Sequence, residues 1–156
     1  MIRFCRPILI AAAIFGADLV QARDSLGVYG DWGAFRDNAP RRCYAIAEPD
    51  EHSRYTARWR PFASIGDWPE RGVRNQPHFR LSQAISGPVM LSIDGTKFSL
   101  IGGGADAWPP NPTADAAIIA ALRSGTSMRV GSDTYTLKGA ASAIDAAALG
   151  CARNNQ

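Results

Sequence analysis

The chain has 156 residues, of which 46% are hydrophobic, and its 17 basic and 14 acidic side chains give a net charge of +3. This length is enough for a hydrophobic core, and without repeats or a long linker we predict a single domain over residues 23–156. The small charge excess does not require a nucleic-acid partner, and we predict none.

The first 22 residues have the organisation of an export signal. Two arginines precede an apolar run at residues 8–17, and Val20 and Ala22 stand three residues and one residue before a suitable cleavage site. The run is shorter than the roughly 20 apolar residues of a spanning helix, although an uncleaved anchor is the alternative. We predict cleavage near Ala22 and a periplasmic or secreted protein with no transmembrane span in the mature chain.

Two cysteines, Cys43 and Cys151, remain once the signal and its Cys5 are removed. An even number of cysteines in an exported chain predicts a disulfide, here one that joins the two ends of the domain. Closing a loop of about 100 residues stabilises a fold by up to roughly 4–5 kcal/mol in the chain-entropy model.

The N-terminal half is predicted to consist of strands. Residues 26–35 mix apolar side chains with glycines, which is typical of a strand that bends at Gly30 or Gly33. Residues 57–65 alternate as an edge strand does, since a proline in the run has no amide to donate. Asp94-Gly95 lies between two apolar runs and predicts a hairpin. Further strands are predicted at residues 43–47, 79–85, 88–93 and 97–101.

The C-terminal half is predicted to add two helices and two strands. Thr113 is suited to cap the first helix and Gly125 to end it. The second helix is expected over residues 140–149, with Cys151 facing the core if the last turn continues. Strands are predicted at 128–130 and 134–137. Short strands with two small helices predict a mainly β fold, a single-domain β-sandwich or barrel-like structure closed by one disulfide.

No motif for metal or nucleophilic chemistry is present. His52 and His78 are the only histidines, and neither has the spacing of a metal site. No nucleophile-elbow motif accompanies the serines. We therefore predict no catalytic residue, no metal and no cofactor.

Carboxylates offer the alternative of an enzyme. A pair of them serves glycan hydrolysis, and the candidates occupy turn-like settings where aspartate also bonds to the local backbone. The five candidates are Asp31, Asp37, Glu48, Asp50 and Glu51.

An arginine-rich segment is the clearest binding feature. Arg58 and Arg60 flank Trp59, so on a strand the two arginines share one face. Guanidinium groups bind phosphate and carboxylate, although a solvated face with arginine stems covering apolar surface is the alternative. The predicted contact for an anionic partner comprises Arg54, Arg58, Arg60, Arg71, Arg74 and Arg80.

Several segments resemble the invasion-associated locus B family. They are Gly-Asp-Trp at 30–32, Arg-Cys-Tyr at 42–44, DAWPPNPTADAAIIAALRSGTSMRV at 106–130 and DTYTLKGAASAIDAAALGCA at 133–152. The resemblance implies a small exported envelope protein of alphaproteobacteria, and the family has no established catalytic residues to carry over.

These observations predict a non-enzymatic envelope protein that binds or stabilises an envelope or host-facing component through its arginine-rich segment. The alternative is an envelope glycan or peptide hydrolase that uses carboxylates not paired in the sequence. A structural stress-tolerance factor without a defined ligand is a third possibility.

Overall fold

A computed structural model describes residues 23–51 and 58–152. Nearly half of these residues belong to strands, and neither of the two α-helices in this part of the chain is long and apolar enough to cross a membrane. The strands are β1 (Asp24–Tyr29), β2 (Trp32–Asn38), β3 (Arg41–Ala47), β4 (Phe62–Trp68), β5 (Val73–Arg80), β6 (Val89–Ile93), β7 (Thr96–Gly103), β8 (Asp106–Trp108), β9 (Ser127–Val130) and β10 (Asp133–Thr136). The helices are a short 3₁₀ turn (Pro69–Arg71), α1 (Pro112–Ser124) and α2 (Ala140–Ala152).

The ten strands form one antiparallel sheet in the order β1-β2-β3-β4-β5-β8-β7-β6-β9-β10. Strand β7 connects the two halves, because residues 96–100 pair with β6 and residues 101–103 pair with β8. Both halves contribute side chains to a single hydrophobic core. The mainly β, sandwich-like fold with two helices in the C-terminal half is therefore confirmed.

One face of strands β2–β5, here called the inner face, packs beneath α2. Cys43, Ala45 and Ala47 alternate along β3 and are buried, while Ala143 and Ala147 of α2 are buried against the sheet. Alanine on both surfaces lets the helix backbone approach the strands closely, as dense packing requires. The C-terminal helix thus packs on the strands mainly through small residues, with Ile144 as its buried large apolar side chain.

The disulfide between Cys43 and Cys151 lies at this interface. It joins the middle of β3 to the last turn of α2, with the two Cα atoms 5.7 Å apart, so the predicted pairing is confirmed. The helix continues through Gly150, as the inward-facing cysteine required. Arg41 donates a hydrogen bond to the Cys151 carbonyl oxygen, which satisfies an acceptor at the helix end.

Three hydrogen bonds join the N-terminal strands to β10 and the turn after it: two come from the first hairpin and one from the segment after β3. The Trp32 indole donates to the Thr136 carbonyl (2.9 Å), the Asp31 amide to Lys138 (3.1 Å), and the Asp50 amide to Thr134 (2.9 Å). At this contact Gly139 has a φ of +90°, and a Cβ atom there would come within 1.8 Å of the Tyr29 carbonyl oxygen. Only glycine fits this approach.

Two strand predictions in the N-terminal half were wrong. Residues 26–35 form a hairpin that turns at Gly30-Asp31, not one bent strand. Strand β4 begins at Phe62 and pairs on both sides, so it is not an edge strand. The proline at position 61 lies just before the strand and removes no ladder hydrogen bond.

Other boundaries also moved. Strand β5 ends at Arg80, so residues 81–85 are not part of a strand. Asn111, not Thr113, caps α1, because its side chain accepts from the Ala114 amide (2.9 Å). The Asp94-Gly95 hairpin, the end of α1 at Gly125 and the last two strands are confirmed.

Candidate functional site

The face of the sheet opposite the inner face is called the outer face. Tyr44 and Ile46 flank Ala45 on β3 and so point away from α2. The register continues this face across β4 and β5, where Ser64 lies opposite both Ile46 and His78. Several apolar side chains on this face are partly or largely exposed. In order across the sheet they include Val28, Phe35, Ile46, Phe62, Trp108 and Ile101.

Aromatic rings on the outer face lie over glycines of their own strands. A Cβ atom on Gly33 would come within 2.7 Å of the Phe35 ring, and one on Gly66 within 2.5 Å of the Trp68 ring. The missing side chains leave room for the rings to lie along the sheet. Tyr44 completes this surface, with the Arg42 guanidinium 4.5 Å from its ring centre, and burial raises the pKa of its hydroxyl.

A group of four side chains on β4, β5 and β8, here called the His78 cluster, packs together on the outer face. The His78 ring stacks on Trp108 with centres 5.0 Å apart, and Phe62 meets it edge-on at 5.2 Å. Asp106 Oδ1 lies 2.9 Å from His78 Nε2, which fixes the rotation of the imidazole. The cluster thus consists of Phe62, His78, Asp106 and Trp108.

Arg80 lies within reach of this cluster. In register it stands opposite Phe62 on one neighbouring strand and opposite Asp106 on the other. The side chain is half-buried, and its Nε atom is buried without a hydrogen-bond partner among the residues that the structure describes. A buried donor without an acceptor is destabilising, and because Nε has no accessible surface, only the exposed remainder of the Arg80 side chain is available to a ligand.

Ser64, His78 and Asp106 have the composition of a hydrolytic triad on three neighbouring strands, but their geometry differs. The Ser64 hydroxyl donates to the backbone carbonyl of His78 at 3.4 Å, and Nε2 of the imidazole lies against Asp106. A serine nucleophile needs its hydroxyl on the imidazole. The arrangement therefore gives Ser64 no general base.

An open cleft of about 1040 Å³ adjoins the cluster. Its floor includes Phe35, Ile46 and Phe62 of the outer face, so Phe62 borders both the cleft and the His78 cluster. Four of the five candidate carboxylates line it: Asp31, Glu48, Asp50 and Glu51. The fifth, Asp37, instead pairs with Arg42 at 2.7 Å.

The arginines of the predicted anionic contact lie at opposite ends of the β4–β5 hairpin. The Trp59 indole donates to the Leu81 carbonyl, which holds Arg58 and Arg60 beside the end of β5 that carries Arg80. These two arginines lie on a bend, so the prediction of a strand at this point was wrong. Arg60 also pairs with Glu48 at the cleft rim.

Two further arginines of the predicted contact do not join this group. Arg71 and Arg74 flank the turn at the far end of β4, a strand of seven residues that spans about 20 Å. Arg74 lines a separate cleft of about 380 Å³ with Asp115 of α1, whose carboxyl pKa is raised by burial. Arg54 lies outside the described residues.

Candidate metal ligands do not converge in the described part of the chain. No group of three or more histidine, cysteine, aspartate or glutamate side chains is arranged there to hold a metal ion. His52 lies outside the described residues, and His78 is engaged by Asp106.

Comparison with known proteins returned no relative. No family model matches the sequence, no curated protein is similar to it, and no solved structure resembles its fold. The geometry of the outer face therefore carries the functional argument.

Proposed function

We propose that this protein is an exported, non-enzymatic binding protein of the cell envelope, of the kind that its resemblance to the invasion-associated locus B family implies. The disulfide supports export, since structural disulfides persist in oxidising compartments. The proposed partner is an anionic component of the envelope or of a host-facing surface.

One observation carries the proposed binding surface. Arg58, Arg60 and Arg80 lie at the same end of the β4–β5 hairpin, next to half-exposed aromatic rings on a sheet face that neither helix covers. Aromatic and arginine side chains are the residues most enriched where proteins bind partners. The proposed contact therefore consists of Arg58, Arg60 and Arg80, without Arg71 and Arg74 at the far end of the hairpin.

The test is co-sedimentation of the exported protein with a washed cell-envelope fraction. The double variant Arg58→Glu with Arg60→Glu reverses charge at the proposed surface, and we expect at least tenfold weaker binding. Arg71→Glu with Arg129→Glu makes the same charge change at exposed positions elsewhere and serves as the matched control. Equal loss in both double variants, or no loss in the first, would contradict the assignment of the surface.

A hydrolase of envelope glycans or peptides is the second candidate, favoured by the four carboxylates that line one cleft. The assay is release of soluble fragments from purified peptidoglycan by the wild-type protein and by Glu48→Gln and Asp50→Asn variants. Fragment release that is lost in either variant would replace the binding proposal with the enzymatic one.

A further inference from the structure

The geometry points to a saccharide carrying a carboxylate or phosphate group as the ligand of the His78 cluster and Arg80. This inference rests on the proposed function and gives its anionic partner a chemical class. Three features carry it: aromatic rings of fixed orientation, a partly exposed arginine without an ion pair among the residues that the structure describes, and two further arginines nearby.

The aromatic surface is held in place before any ligand arrives. Trp108 is parallel to His78 within 4°, Phe62 abuts the same imidazole at 82°, and Asp106 fixes the imidazole through Nε2. Rings locked by their neighbours lose little conformational entropy on binding. The C–H face of a pyranose is flat and apolar, and half-exposed rings on an open sheet face are suited to stack against it.

Arg80 supplies the charge recognition. It stands in register between Phe62 and Asp106, and its buried Nε has no acceptor within the described ranges. A guanidinium presents parallel N–H donors that match the two oxygens of a carboxylate or phosphate. An acidic group on a sugar stacked near Phe62 would pair with the exposed part of the Arg80 side chain, which forms no ion pair in the described part of the chain.

Two arginines add positive charge beside the cluster. Arg58 and Arg60 are exposed beside the same end of β5, where the Trp59 indole holds their segment against Leu81. Asp106 is directed at His78, and Glu48 of the adjoining cleft pairs with Arg60. Because three other carboxylates also line that cleft, we expect the anionic group of the ligand on the side of Arg58 and Arg80, away from the cleft. Long-range attraction of an anion to these arginines raises its association rate, and salt weakens it.

The test uses isothermal titration of the exported protein with trigalacturonic acid, with neutral galactotriose as the matched ligand and glucose 6-phosphate as the phosphate probe. We expect trigalacturonic acid or the sugar phosphate to bind at least tenfold more tightly than the neutral trimer. Binding to the carboxylated probe alone would identify an acidic sugar, and binding to the phosphorylated probe alone a sugar phosphate. Equal affinity for the neutral trimer, or no binding of either anionic probe, would overturn the inference.

Variants locate the site. Arg80→Met keeps the length of the side chain and removes the guanidinium, so we expect the affinity for the anionic probe to fall at least tenfold. Arg129→Met on β9 is the control. Arg80→Lys keeps the charge but not the paired donors, so its affinity should fall less than that of Arg80→Met. It also provides a second variant if Arg80→Met fails to fold. Unchanged affinity in a folded Arg80 variant would contradict the site.

The outcomes separate this inference from the proposed function. Envelope co-sedimentation that depends on Arg58 and Arg60, without binding of either anionic sugar, would refute the saccharide and leave the binding protein. Binding to vesicles containing phosphatidylglycerol but to neither anionic sugar would assign the surface to lipid and equally refute the saccharide. Loss of both co-sedimentation and sugar binding would refute both proposals.

Discussion

The inner and outer faces of strands β2–β5 are built by alternate residues of the same strands, yet they differ in almost every property. The inner face carries alanines, a cysteine and Phe79, all buried under α2 or in the core. The outer face carries half-exposed rings over glycines, a histidine–aspartate pair and an arginine with a buried donor. Within a single set of strands, the inner residues therefore stabilise the fold, while the outer residues are available to bind a partner.

Removal of the disulfide, which lies on the inner face, should have the largest effect on stability. Cys43→Ser and Cys151→Ser together should lower the free energy of unfolding by up to about 4–5 kcal/mol, because the pair closes a loop with a sequence separation of 108. Chemical denaturation of the double variant and of the wild type measures this difference in the free energy of unfolding. The wild type is measured both with and without reductant. A loss below about 1 kcal/mol would show that packing of α2 on the inner face suffices without the covalent link.

A matched pair of phenylalanines tests the two faces directly. Phe79 is 1% exposed on the inner face of β5, whereas Phe62 is half-buried on the outer face of β4. Phe79→Ala should cost about 3–4 kcal/mol because it leaves a cavity in the core, and Phe62→Ala about 1 kcal/mol. Urea unfolding of both variants compares them. Equal losses would mean that the outer face is as much a part of the core as the inner face.

The carboxylate of Asp94, which lies on neither face, should make the stability of the fold depend on pH. Its carboxylate accepts from the amide and hydroxyl of Thr126 and from Ser127, and these bonds lower its pKa to about 2. A carboxyl whose pKa is depressed on folding stabilises the native state above its unfolded pKa, and this contribution is lost as pH falls from about 4 to about 2.

The comparison is with Asp94→Asn, which keeps the shape and tolerates the positive φ of 45° at this position. The denaturation midpoint of the wild type should fall more steeply between pH 4 and pH 2 than that of the variant. Parallel profiles would show that the bonds to Thr126 and Ser127 do not stabilise the charged form.

Arg80→Met has the smallest expected effect, and its sign is the opposite of the others. Because the variant removes a buried donor without an acceptor, we expect stability to be unchanged or raised by about 1 kcal/mol. Thermal unfolding of the variant measures this. Destabilisation by 2 kcal/mol or more would place Arg80 among the residues that hold the fold together.

Local signals in the sequence predicted the local structure well. The Asp94-Gly95 turn, the α1 stop at Gly125 and the inward Cys151 each depend on residues adjacent in the chain or one helical turn apart. The hairpin at Gly30-Asp31 also has a local signal, since Gly-Asp between two apolar runs is a turn pair. The prediction of one bent strand at this point was wrong because it took these glycines for a bend.

The site depended on strand register, which the sequence does not encode locally. Phe62, His78 and Asp106 come from three strands and meet because β5 lies between β4 and β8. Only the alternation within β5 hinted that His78 and Arg80 share a face. The five described arginines of the predicted contact are close in sequence, yet the two ends of an antiparallel hairpin lie far apart, so Arg71 and Arg74 are separated from the other three.

The most direct test of the account follows the tryptophan indole N–H resonances while solubilised envelope polysaccharide is added to isotope-labelled protein. Trp108 lies in the His78 cluster, whereas the Trp32 indole is fixed on the inner side by its hydrogen bond to Thr136. We expect the Trp108 resonance to shift in proportion to bound ligand and the Trp32 resonance to stay in place. A shift at Trp32 with none at Trp108, or no shift at either, would contradict a ligand site on the outer face.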